Sequence, residues 1–275
     1  MPQIAYRRYV AIGDSQTEGL WDGDDAEGLM GFADRLAARL DALYPGLQYA
    51  NLAVRGRRIR DIVQEQLPRA LSMRPDLITV CVGMNDVTRP GRSFDQALID
   101  LEELYLRLAD SGATVVTTTF PDVAKLVPVG RLLARRVTRI NDTIRTGAER
   151  HGFGLVDLYT APAMQDLDTW SLDRIHASTK GHILFAAAAA EALNLPSSNH
   201  DWARSSGAVT QLSPAARARA QLRWTQNLLL PWIVRHLRGR SSGDGREAKR
   251  AHLKSVAVHR VATNGPGRAS LSHEP

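Results

Sequence analysis

Residues 9–19 read YVAIGDSQTEG. The apolar run Val10-Ala11-Ile12 stops abruptly at Gly13-Asp14-Ser15. A loop explains the polarity, and a phosphate cradle explains the glycine. A nucleophilic serine explains all three residues, provided that the chain elsewhere supplies a base and donors for an anion. Four further runs have the character of the first: LQYANLAV (47–54), LITVCVG (77–83), TVVTTTF (114–120) and GLVDL (154–158). They are nearly continuous apolar or β-branched stretches, as expected of strands buried on both faces of a parallel sheet.

Helical stripes separate these runs. Phe32, Leu36, Leu40 and Leu43 fall on one face, as do Leu133, Val137, Ile140, Ile144 and Ala148. A last helix, opened by Ser178 or Thr179, carries ILFAAAAAEAL. The alternation predicts an α/β fold, a three-layer α/β/α sandwich on a parallel five-stranded sheet with right-handed crossovers. Ligand sites in such sheets lie beyond the carboxyl ends of the strands, and Ser15 follows the first strand directly.

The bulk composition agrees with one domain of about 200 residues and an appendage. The chain has 275 residues, 44% hydrophobic and 23% charged, and no apolar stretch near the roughly 20 residues that span a bilayer. A single cysteine, Cys81, excludes an internal disulfide framework and fits a reducing compartment. With arginines near the start and no apolar leader-type segment, the expected location is cytoplasmic. The net charge of +6 resides entirely beyond residue 234; the preceding residues hold 26 basic and 26 acidic side chains. The expected organisation is therefore a catalytic domain over 1–196, a linker and amphipathic helix over 197–238, and a basic, disordered tail over 239–275. Every candidate reactive residue precedes Pro196, so the tail is expected to be dispensable for chemistry. Its charge admits weak contact with anionic surfaces, with no nucleic acid required.

Polar residues recur after the strands. NLAVRG brings Gly56, GMND brings Asn85, and SLDRIHASTKGH brings Asp173 and His176. Four loops thus converge on the face that carries Ser15. A serine hydroxyl becomes a useful nucleophile when a base removes its proton, and histidine suits that task near neutral pH. Asp173, three residues before His176, is close enough to orient the imidazole. The Ser15 N–H, the Gly56 N–H and the Asn85 amide are candidate donors to an oxyanion. Other residues take structural readings: Asp14 and Asp86 as turn braces, His182 and Cys81 as packed groups. Asp122 either lines a pocket or ends a turn, and Trp21 and Trp170 either wall an acyl or sugar pocket or simply pack.

The four blocks GDS, NLAVRG, GMND and DRIH, in this order, resemble the SGNH or GDSL-type hydrolase family of esterases and lipases. The resemblance covers about residues 6 to 195. It implies a flavodoxin-like fold, hydrolysis of acyl esters through an acyl-enzyme, and neither metal nor cofactor. Carried over by motif, Ser15, Asp173 and His176 are catalytic, and Ser15, Gly56 and Asn85 form the oxyanion hole. Gln16 departs from the aliphatic residue usual after the serine, which bears on substrate preference. Two other classes compete. Nucleotide binding is disfavoured because no strand is followed by G-x-G-x-x-G or G-x-x-x-x-G-K-[ST]. A non-catalytic binding module on the same fold would be marked by a broken triad.

Overall fold

In a computed structural model, the structure describes residues 5–26, 28–89, 93–127, 130–207 and 243–256. Strand β1 (Arg8–Gly13) lies at the centre of a sheet and enters the short helix α1 (Ser15–Glu18) through Asp14. A two-residue ribbon, β2 (Gly23–Asp24) with β3 (Gly28–Leu29), precedes α2 (Phe32–Leu43) and β4 (Gln48–Asn51). Next come α3 (Ile59–Asp61), a π turn at Ile62–Gln66, α4 (Leu67–Ser72), β5 (Leu77–Cys81), α5 (Met84–Val87) and α6 (Ser93–Ala109). Strand β6 (Thr114–Thr118), α7 (Val123–Leu126), α8 (Gly130–His151), β7 (Gly154–Val156) and α9 (Thr179–Ala192) follow, and β8 (Arg250–Ser255) comes last.

The sheet order is β7-β6-β5-β1-β4-β8. All pairings are parallel except β4 with β8. Helix α2 packs on α9, while α6 packs on both α3 and α8, giving the three-layer α/β/α sandwich. The expected stripes form its contacts: Phe32, Leu36 and Leu40 of α2 and Val137, Ile140, Ile144 and Ala148 of α8 are buried. Ser178 caps α9, its hydroxyl accepting from the Gly181 N–H. The strand order reverses on either side of β1, so the crevice between the ends of β1 and β5 is the switch point where such sheets bind ligands. Ser15 and Asn85 follow these two strands. The glycine that ends β1 is explained by close approach. A methyl group on Gly13 would come within 2.4 Å of both the Cys81 carbonyl oxygen and Thr17 Oγ1.

Two expectations about the chain beyond Pro196 need correction. The sheet has six strands and is mixed, because part of the segment expected to be disordered supplies β8. Residues 250–255 pair antiparallel with β4, placing Gln48 opposite Ser255 and Asn51 opposite Arg250. This covers an edge of the sheet that would otherwise present unpaired backbone groups. Leu253 and Val256 pack against the core. Within the expected linker, a 3₁₀ turn (His200–Ala203) packs on α9 with Trp202 and Ala203 buried, because the Trp202 indole N–H has a carboxylate partner in Glu191. The amphipathic helix expected near residues 213–237 lies outside the described residues.

Candidate active site

The structure brings all five expected site residues to the carboxyl end of the sheet. The loop after residue 170 returns His176 to the start of α1, where its Nε2 lies 2.8 Å from Ser15 Oγ. Its Nδ1 lies 2.7 Å from Asp173 Oδ2. The Asp173 carboxylate also accepts from the backbone N–H groups of Ile175 and His176, both at 2.9 Å, and from the Ser171 hydroxyl at 2.7 Å. Burial works against ionisation, but the His176 interactions and these backbone bonds outweigh it and hold the carboxyl far below the usual range. An ionised carboxylate only accepts, so Nδ1 carries the imidazole proton. The bare Nε2 therefore accepts from the Ser15 O–H, an arrangement competent to take up the serine proton.

Gly56 sits in the loop after β4 with φ of 80°, a left-handed conformation that glycine adopts without strain. Asn85, in α5, donates from Nδ2 to Asp14 Oδ2 at 3.1 Å and to the Arg57 carbonyl at 2.9 Å. An amide has two such hydrogens. A new acceptor would compete first with the longer Asp14 bond. Asp14 is a brace, as expected: its Oδ1 accepts from the Gln16 N–H at the start of α1. Burial pushes its carboxyl up to about 7. Asp86 accepts from the Ile59 N–H and is raised by burial to about 6. Asp122 ends a turn, capping α7 through the Ala124 N–H. His182 is fully buried, accepting from the Phe32 N–H at Nδ1 and facing the Leu20 carbonyl from Nε2. Burial lowers it to about 4 and pushes the Cys81 thiol up to about 12.

Three features of the site escaped sequence reasoning. The first is a buried ion pair between α1 and the Gly56 loop. Glu18 accepts from the Arg55 backbone N–H at 2.6 Å and from its guanidinium at 2.8 Å. Asp25 accepts from the same guanidinium at 2.9 Å. The second is Trp21, whose indole N–H donates to Asp173 Oδ2 at 2.9 Å although the residue is 42% exposed and its φ is 72°. The third is Gln16, which clamps the histidine loop to α1. It donates to the Ile175 carbonyl and accepts from the Ala177 N–H. Gln16 carried a signal in the sequence as the departure within GDSQTEG, and Trp21 only as a tryptophan of undecided role; the Glu18–Arg55 pair carried none.

Beside Ser15 opens a cavity of about 250 Å³, walled by Met84, Phe120, Val123, Leu126, Leu133 and Trp170. Residues 11–184 match the model of the GDSL-like Lipase/Acylhydrolase family. The chain belongs to that family. An acetylxylan esterase of Geobacillus stearothermophilus is 23% identical over 202 residues, covering 66% of this chain and 91% of that protein. The solved structure of Axe2, an acetylxylan esterase from the same organism, has a TM-score of 0.58 at 21% identity, covering 74% of this chain and all of that one. An α/β hydrolase enzyme from the metagenome of Lake Arreo, Spain, has a TM-score of 0.58 at 26% identity, covering 68% and 95%. As a member of the GDSL-like family with esterase relatives, the protein is an esterase, a hydrolase of carboxylic esters.

Proposed function

We propose that the protein cleaves carboxylic esters through an acyl-enzyme on Ser15, with His176 as base, Asp173 as its orienting acid and Gly56, Asn85 and the Ser15 N–H as oxyanion donors. The observation that carries this reading is the unbroken relay, 2.8 Å from Ser15 Oγ to His176 and 2.7 Å from His176 to Asp173. Ser15 Oγ attacks the ester carbonyl as its proton passes to His176 Nε2. The carbonyl oxygen becomes an oxyanion held by the donors. Collapse breaks the bond to the alcohol oxygen, which takes the proton from His176. Water then attacks the acyl-enzyme by the same route, giving up its proton to His176 and releasing the acid and Ser15. The Asn85 amide exchanges its Asp14 contact for the oxyanion, so its bond strengthens as charge develops.

The test is covalent labelling by a fluorophosphonate alongside turnover of p-nitrophenyl acetate. Ser15→Ala should lose both. Asn85→Ala should keep measurable labelling while kcat falls on the order of 100- to 1000-fold. A fully active Ser15→Ala refutes the mechanism, and a fully active, folded Asn85→Ala removes Asn85 from the oxyanion hole.

The cavity favours an aliphatic acyl group longer than the acetyl group named for the relatives. At about 30 Å³ for a group the size of water, 250 Å³ accommodates about eight such groups. Each buried methylene stabilises by about 0.8 kcal/mol, roughly four-fold in kcat/KM. Across p-nitrophenyl acetate to octanoate, kcat/KM should climb before levelling. An acetate optimum would favour acetylated sugars.

A further inference from the structure

We propose that the C-terminal segment from Gly243 through β8 is a positioning element for the oxyanion hole, acting from behind the Arg55–Gly56 peptide. The inference rests on the assignment of the Gly56 N–H as an oxyanion donor. Gly243 is buried against that peptide. A methyl group on Gly243 would stand 2.0 Å from the Arg55 carbonyl oxygen, 3.1 Å from the Arg55 carbonyl carbon and 3.2 Å from Val54 Cγ1. The Arg55 C=O and the Gly56 N–H are opposite ends of one planar unit. Whatever leans on the carbonyl oxygen therefore sets the direction of the N–H.

The segment is tied down on both sides of this contact. Arg246 closes a turn onto Gly243, its N–H donating to the Gly243 carbonyl at 3.1 Å. Its guanidinium donates twice to Asp25, at 2.6 and 3.1 Å, and Asp25 also accepts from Arg55. Lys249 donates to Asp34 at 2.6 Å and to the Leu29 carbonyl at 2.9 Å. The β4 ladder then fixes residues 250–255, with Arg250 Nε donating to the Tyr49 carbonyl. Two clamps thus act on the Gly56 loop: Glu18 on the α1 side and Gly243 on the sheet edge. The second lies beyond residues 11–184, which carry the family match. Gly243 and Arg246 touch neither substrate nor the reacting atoms; they are positioning residues.

The experiment compares full-length Gly243→Ala, Gly243→Val and Arg246→Ala with wild type, on p-nitrophenyl acetate and in affinity for phenylboronic acid, which forms an adduct on an activated serine. Displacing a donor by about 1 Å costs on the order of 100-fold. The Gly243 variants should therefore lose about 10- to 100-fold in kcat, the valine more than the alanine. KM should stay within about two-fold and boronate affinity should fall in parallel, because only interactions with developing charge are lost. A merely structural glycine would lower the melting temperature and leave kcat of the folded fraction unchanged, which overturns the proposal. If neither Gly243 variant folds, Arg246→Ala decides: a loss of about three-fold or more in kcat at constant KM supports the clamp, and wild-type kcat ends it. Asn85→Ala, measured alongside, separates the two levels. Full activity there removes Asn85 from the oxyanion hole and leaves the Gly243 variants to decide the Gly56 donor; its collapse beside fully active Gly243 and Arg246 variants sinks only the clamp.

Discussion

Glu18→Gln tests whether the buried ion pair holds the site together. Both side chains of the Glu18–Arg55 pair are nearly closed to solvent, at 6% and 9% exposure. Salt screens such a pair weakly, and removing one partner strands the other charge. The glutamine keeps one oxygen, which can still accept from the Arg55 N–H. It also turns an NH₂ toward a guanidinium that formerly met oxygen at 2.8 and 3.0 Å. Breaking a buried pair costs about 3–5 kcal/mol. Asp25 remains as a second, half-exposed partner of Arg55, so the lower end applies, about 3 kcal/mol. For a protein of this size that is a fall of about 6–12 °C in melting temperature.

The same substitution should lower kcat, because Arg55 is the residue joined to the Gly56 N–H. Paired measurements of melting and of p-nitrophenyl acetate turnover, well below the transition, read both effects. Glu18→Gln combined with Arg55→Met should cost less than the sum of the single variants by about 1–3 kcal/mol, since the double change strands no charge. Additive losses, or a Glu18→Gln protein melting within about 1 °C of wild type at full activity, would refute this account.

Trp21→Phe removes one donor from Asp173 while keeping the aromatic ring. A loss of about 1 kcal/mol in transition-state stabilisation is expected, about five-fold in kcat at constant KM; equal kcat would make the indole bond incidental. His182 should make stability acid-sensitive. Its folded pKa, near 4, lies below the unfolded value of about 6.5, so its contribution is complete above pH 6.5 and is lost as pH falls toward 4. The difference corresponds to about 3 kcal/mol. His182→Gln, which can still accept from the Phe32 N–H and donate to the Leu20 carbonyl, should flatten the decline in melting temperature between pH 7 and 4.5. An unchanged decline would assign it to other groups.

The parts of this molecule legible in its sequence share a physical property: their meaning is local. A strand buried on both faces must be apolar throughout, whatever its neighbours, so the five parallel runs are readable singly. Asp173 and His176 stand three residues apart on one loop, and Ser15 follows its strand after a single residue, Asp14. The missed features depend on partners far along the chain. Glu18 and Arg55 are charged, and such residues are almost never fully buried unless paired; the pair forms across 37 positions. Trp21 finds its acceptor 152 positions away, and β8 meets β4 some 200 positions earlier. Within β8 only Ala251 and Leu253 alternate inward, too little signal to outweigh the polar, glycine-rich flanks. Reacting atoms are constrained by chemistry to a few residue types in a recognisable order. The residues that aim them need only fit whatever the fold puts beside them. On the proposed reading, the Gly56 donor is aimed in part by a strand drawn from outside residues 11–184, which carry the family match.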